Sequence, residues 1–339
     1  MKSAARRKPT EARLDEIREV ASKTGEVFGG LKSRVRSPQS LKQASYYDLP
    51  ALKAPVWTWE VPLYFFLGGA AGMTSCIAFV AQLFHANPAL VRLSLWAALV
   101  GAAICPLLLI SDLGRPTRFL NMLRVFKLRS AMSMGAWILV AFSNCVFLAV
   151  LSFELHCHGL LNPLSLWLLW LAEAAAALTG LLLASYTGVL IGATAIPVWS
   201  VNRKLLPPHF LTSGLGSAAG ILELAGFLIP ATQFLGFFAS GVETMIELVL
   251  LARNRSPDAP LHHGRSGQAL LIAGLMEGPV ALLLRVLGRA TSEGRYTAAA
   301  CFLVGALLSR YAWIWAGRSS AGDPHTLFEL QREASSTLQ

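Results

Sequence analysis

From residue 61 onward the chain is a succession of long apolar stretches separated by short polar ones, and this leaves it few ways to fold. A bilayer core about 30 Å thick is crossed by about 20 residues of helix. In hydrocarbon the backbone has to satisfy its own N–H and C=O groups, so helices and closed barrels are the available solutions. Eight stretches have or approach the helical length: 61–84, 90–110, 131–155, 164–189, 209–228, 231–251, 267–287 and 296–316. The fifth and sixth share one apolar run, divided at Ile229 and Pro230 because proline disfavours helix at the residue before it. The reading is an all-α integral membrane protein, an eight-helix transmembrane bundle with a basic soluble N-terminal extension.

Composition agrees. Only 14% of residues are charged and 54% are hydrophobic, where soluble domains carry about 25% charge; the mean hydropathy is +0.53. The net charge of +10 calls for no nucleic acid, because twelve of the 29 Lys and Arg lie in residues 1–56 and membrane proteins retain basic residues in cytoplasmic loops. Three units follow: a basic extension at 1–56, a membrane domain at 57–317 and a cytoplasmic tail at 318–339. In the extension, Thr10 can cap a helix with Leu14, Ile17 and Ala21 on one face. Arg6, Arg7 and Lys8 are followed by no apolar run before Val61, so no cleaved signal is expected. The five cysteines form no CxxC pair, which argues against a disulfide framework and against iron–sulfur ligation by this chain.

Eight crossings place both termini on one side, with the loops after the second, fourth and sixth segments. Those loops hold Arg115, Arg118, Arg124, Lys127 and Arg129, then Arg203 and Lys204, then Arg253, Arg255 and Arg265. The loops after the third and fifth have none. By the positive-inside rule the termini and the basic loops are cytoplasmic.

Polar residues within such segments are costly and indicate function by default. No pair of histidines sits deep enough on facing segments to ligate a haem, since His85, His156, His158 and His209 fall at segment ends. Acids are more informative. Glu60 opens the first segment, Asp112 closes the second, and Glu173, Glu223, Glu243, Glu247 and Glu277 lie in the fourth to seventh. Alternation of direction brings Glu60, Tyr64, Asp112, Tyr186 and Thr187 into the same leaflet. The expectation is a polar pocket near the cytoplasmic face, able to hold a head group while apolar walls take a lipid-like tail. The plainer alternative is that these acids tie helices together, Asp112 pairing with Arg115 or Arg118. Gly68, Gly69 and Gly72 suit close helix approach, and Trp57, Trp59 and Trp199 suit an interfacial aromatic belt. Glu223, Glu243, Glu247 and Glu277 form either a proton route towards the opposite face or buried hydrogen-bonded pairs.

Several stretches are more specific. Trp57-Thr-Trp-Glu-Val-Pro-Leu-Tyr-Phe-Phe-Leu-Gly-Gly-Ala-Ala-Gly72, Ser111-Asp-Leu-Gly-Arg-Pro-Thr-Arg-Phe-Leu-Asn-Met-Leu-Arg-Val-Phe126 and Ser133-Met-Gly-Ala-Trp137 resemble the NrfD/polysulfide-reductase membrane-subunit family. Tyr186-Thr-Gly-Val-Leu190, Thr194-Ala-Ile-Pro-Val-Trp199 and Ala316-Gly-Arg-Ser-Ser-Ala-Gly-Asp-Pro324 fit it too. The resemblance implies an eight-helix subunit of a prokaryotic cytoplasmic membrane, without haem or iron–sulfur cluster of its own. Such a subunit exchanges electrons between a quinone or quinol, menaquinone or ubiquinone, and a partner with four [4Fe-4S] clusters, which serves a molybdopterin catalytic subunit. By position, its quinone pocket takes Trp57, Tyr64, Asp112, Arg115 and Tyr186, with Asp112 or Glu60 receiving protons. Two other classes fit the same acids: a proton-coupled small-solute transporter, and a passive membrane anchor for a cytoplasmic enzyme. A transporter favours inverted repeats and broken helices, and neither is visible in the sequence.

Overall fold

A computed structural model describes residues 52–113, 123–124, 126–127, 130–160, 166–253, 255–323 and 326. The expected Thr10 helix, Arg115 and most of the Asp-Leu-Gly-Arg-Pro loop lie outside the described residues. Every regular element among those described is helical. The long ones are α1 (Glu60–Leu83), α2 (Pro88–Asp112), α3 (Ala131–Cys157) and α4 (Leu166–Gly192), followed by the short α5 (Pro197–Val201). Then come α6 (Leu206–Leu224), α7 (Pro230–Ala252), the one-turn α8 (Ala259–His262), α9 (Gly264–Leu275), α10 (Ala281–Leu287) and α11 (Ser292–Ala321).

Local chemistry sets the starts. The Asn87 side chain accepts from the Ala89 N–H at 2.9 Å, with Pro88 at the first helical position, where no N–H is needed. Thr291 caps α11 by accepting from the Gly294 N–H at 3.2 Å. Ile229 is extended and Pro230 opens α7, so the long apolar run divides at that proline.

Among the described residues seven helices are long and apolar enough to cross a membrane, where the sequence suggested eight. The shortfall is α6, which has 19 residues but carries His209, Thr212, Ser213, Ser217 and three glycines. Its neighbours explain this. It packs against α1, α4, α7 and α11, so protein rather than lipid surrounds it and small or polar residues replace leucine. α1 is the other inner helix, with 67% of its most apolar stretch buried against 28% for α4. Where α1 crosses α4, a side chain on Gly72 would overlap the Gly180 carbonyl, and Ser75 Oγ reaches the Ala176 carbonyl at 3.1 Å. The small residues of α1 therefore serve close approach, as expected.

The segment Gly264–Leu287 is interrupted, contrary to the expectation of no broken helix. A π turn at Met276–Val280 separates α9 from α10, with Gly278 at φ −94°, ψ −105° and Pro279 beside it. Proline removes a backbone donor there, and a Cβ on Gly278 would come within 3.0 Å of Thr244 on α7. Glu277 sits in this break.

Candidate functional site

At the end of the bundle where α1 begins and α2 and α4 finish, a cavity of about 170 Å³ opens between the helices. Trp57, Tyr64, Phe65, Asp112, Gly135 and Tyr186 line it, and the remaining wall is aliphatic apart from Met132. Four residues singled out in the sequence, Trp57, Tyr64, Asp112 and Tyr186, thus meet in one place. Tyr186 donates its hydroxyl to the Ala131 carbonyl at the start of α3. Its ring lies against Gly135, where any Cβ would overlap it. Glu60 is not in the lining. It is joined to Asp112 through Thr58, whose Oγ1 contacts the Glu60 carboxylate and lies 2.9 Å from Asp112 Oδ1. The Thr58 backbone N–H also approaches Asp112 Oδ1, at 3.4 Å. The three residues link the end of α2 to the start of α1.

The tryptophans depart from the aromatic-belt expectation. Trp199, carried by α5, is completely buried, and Trp57 stacks on it at 5.5 Å with 16° between the ring planes. The Trp199 indole N–H donates to the Trp313 carbonyl at 2.9 Å. Trp59 alone of the three is exposed. α11 holds the segment that enters α1: Arg318 donates to the Trp57 carbonyl, and the Tyr311 hydroxyl donates to the Trp59 carbonyl at 2.9 Å. Trp57, which lines the cavity, is therefore backed by Trp199 and held through its carbonyl by α11.

Behind that wall lies a buried polar cluster. His209 Nδ1 is 2.6 Å from Glu243 Oε2, and Nε2 is 3.1 Å from Ser309 Oγ. With a carboxylate as partner, Nδ1 carries the proton. Thr212 also donates to Glu243. Glu247 is one turn along α7 from Glu243, on the same face. Glu277 is buried and faces Glu243, His209 and Arg310, with the Ser213 hydroxyl beside it. Arg310 lies 3.8 Å over the Phe210 ring and donates to the Phe210 carbonyl at 3.2 Å. Phe210 in turn packs 6.2 Å from Phe65 of the cavity wall. Glu243 and Glu277 thus face Arg310 and His209 in a buried space, with Glu247 beside them.

Glu223, expected with these acids, is elsewhere. It lies fourteen residues along α6 from His209, about 21 Å. Arg285 Nη1 contacts its two oxygens at 2.9 and 3.1 Å, and Arg295 Nη2 contacts one at 3.2 Å. Arg295 further donates to the Leu228 carbonyl at 2.7 Å. Glu173 is buried alone on α4, its oxygens without hydrogen-bond partners among the described residues. Sequence reasoning did not single out Arg285, Arg295 and Arg310, and it placed His209 at a segment end. His209 is indeed in the first turn of α6, yet it is buried. Among the described residues no group of His, Cys, Asp and Glu is arranged to hold a metal ion.

Residues 49–317 match the family model described as polysulphide reductase, NrfD. The C subunit of the polysulfide reductase of Wolinella succinogenes is 31% identical over 205 residues, covering 55% of this chain and 61% of that protein. Protein NrfD of Escherichia coli K12 is 26% identical over 206 residues, covering 55% of this chain and 63% of that protein. The chain therefore spans less than two thirds of the length of these curated relatives.

Proposed function

Because the chain belongs to the polysulphide reductase NrfD family of membrane subunits, we propose that it exchanges electrons between a membrane quinone and an iron–sulfur partner of an oxidoreductase complex. The observation that carries this reading is the meeting of Tyr64, Tyr186, Asp112 and Trp57 in one otherwise apolar cavity at a helix-bundle end. Its volume suits a ring rather than a whole lipid, so the head group of menaquinone or ubiquinone enters and the tail stays among lipid. Tyr64 supplies a hydroxyl for one ring oxygen, and the Tyr186 hydroxyl, whose proton goes to the Ala131 carbonyl, accepts from a quinol O–H. Oxidation of a quinol releases two electrons and two protons. Asp112 receives a proton at its carboxylate and shares it through Thr58 with Glu60, which opens α1 at the rim.

The electrons leave to a partner docked over the same end, a protein with four [4Fe-4S] clusters that serves a molybdopterin subunit. The basic residues of the loops at this end support a cytoplasmic orientation for it in a prokaryotic inner membrane, with both termini on that side. α6, at 19 residues about 28 Å long, completes eight crossings. His209, Glu243, Glu247 and Glu277 form a proton store behind the cavity.

A solute transporter is the second reading, favoured by the interruption at Met276–Val280. Asp112→Asn separates the readings. A quinone-reactive subunit loses about 10²-fold or more of quinol-linked turnover while the complex still assembles. Unchanged turnover in an assembled complex would leave the passive-anchor or transporter reading instead.

A further inference from the structure

A second cavity, of about 100 Å³, opens between the end of α7 and the start of α9. Glu247, Leu251, Leu261, His262, Gly267 and Gln268 line it. It lies at the same end of the bundle as the first cavity. Asn202, just beyond α5, ties the two regions together: it accepts from Arg253 Nη1 at 2.9 Å and donates to Asp258 Oδ1 at 2.7 Å. His262 Nε2 is 2.8 Å from the Arg253 carbonyl, so Nε2 carries the ring proton in the neutral side chain.

Glu247 forms the inner wall of this cleft. It is 8% exposed, against 2% for Glu243 and 1% for Glu277. α9 meets it without a side chain, because a Cβ on Gly274 would overlap the Glu247 carboxylate. Inward from Glu247 are Glu243, one turn away, with His209 and Glu277 in electrostatic contact. The titratable and charged groups facing the cluster are His209 from α6, Glu243 and Glu247 from α7, Glu277 from the π turn and Arg310 from α11. His262 stands at the cleft.

In the opposite direction the next acid on α6 is Glu223, and it is held by two arginines. Two fixed cations on one carboxylate oppose the arrival of a further positive charge.

We propose that the cleft between Glu247 and the His262–Gln268 segment is a one-sided proton intake for the buried His209, Glu243 and Glu277 cluster, closed towards the far face by the Glu223, Arg285 and Arg295 triad. Water enters at Gln268 and His262, Glu247 takes the proton, and Glu243 and Glu277 store it beside the cavity wall. The assignment rests on the proton-handling part of the proposed function, but its test needs no turnover.

Sealed vesicles containing the full chain are treated from one side or the other with a water-soluble carbodiimide and an amine, and modified carboxyls are identified by mass spectrometry. A cysteine placed at Ser256 (Ser256→Cys) and labelled by an impermeant maleimide reports which side bears the loop after α7. Glu247 is expected to be modified from that side only, and Glu223 from neither. Gln268→Trp fills the cleft and is expected to abolish the Glu247 modification, whereas Leu261→Ala widens it and increases the modification. Absence of modification at Glu247, equal modification from both sides, or modification of Glu223 would each overturn the intake. If Glu247 is modified as expected while Asp112→Asn leaves quinol turnover intact, the intake stands and the quinone reading falls.

Discussion

Thr58 Oγ1 lies 2.9 Å from Asp112 Oδ1 and touches the Glu60 carboxylate on its other side. Asp112 is at the end of α2 and Glu60 at the start of α1, so this one hydroxyl connects two helices whose acids would otherwise stand apart. Thr58→Val removes the hydroxyl link, leaves the backbone N–H of residue 58 at 3.4 Å from Asp112 Oδ1, and keeps the shape. It is expected to lower quinol-linked turnover about tenfold, less than loss of Asp112 itself, because the side chain positions the acid rather than serving as it. Thr58→Ser restores the rate. Steady-state quinol oxidation by the assembled complex measures both.

Trp57→Leu removes the stack on Trp199. Such a pair is worth about 0.5–1.5 kcal/mol beyond its buried area, and here it forms a wall of the cavity. Affinity for a quinone analogue is expected to fall by up to about tenfold, measured by calorimetric titration of the purified complex. Trp59→Leu, a change at an exposed ring outside the cavity lining, leaves the affinity unchanged.

Glu223→Gln leaves Arg285 and Arg295 buried against a neutral amide. Removing one partner of a buried ion pair costs about 3–5 kcal/mol, so the variant unfolds at a clearly lower temperature in detergent. Glu223→Gln combined with Arg285→Met loses less than Glu223→Gln alone, since a cation without a counter-charge is also gone.

Gly180→Val puts a side chain into the Gly72 backbone at the crossing of α1 and α4. Overpacking of this kind costs about 1–3 kcal/mol, and backbone on the opposing side gives way less than a side chain does. The yield of assembled complex and its melting temperature both fall. Gly241→Ala, where nothing lies within 4 Å of the added carbon, is the control and has little effect.

The sequence was legible where solvent alone decides. Lipid-facing helices such as α2 and α3 are apolar over most of their length, and their ends lie within a few residues of the apolar runs. The cavity was legible for a related reason: alternating chain direction fixes which helix ends share a leaflet, which brings Tyr64, Asp112 and Tyr186 together before any contact is known. Legibility failed where protein replaces lipid as the neighbour. α6 is wrapped by other helices, so its hydropathy drops and its His209, taken as a helix-end residue, is enclosed. Glu223 was separable from the other acids only through Arg285 and Arg295, whose pairing across 62 and 72 residues follows from packing. Trp199 has the composition of an interfacial residue but is buried by its place on α5. The break at Met276–Val280 did have a signal in Gly278 and Pro279. The bridging role of Thr58 had none, since an ordinary threonine beside a helix start reads as a cap.

The grip of Arg318 and Tyr311 on the carbonyls of Trp57 and Trp59 also bears on how the protein is made. Residues 57 and 59 leave the ribosome before any of the long helices, while 311 and 318 emerge after all the others have been synthesised. Until then the carbonyls of Trp57 and Trp59 lack these two donors. A chain that lacks α11 therefore lacks both donors that hold the entry to α1.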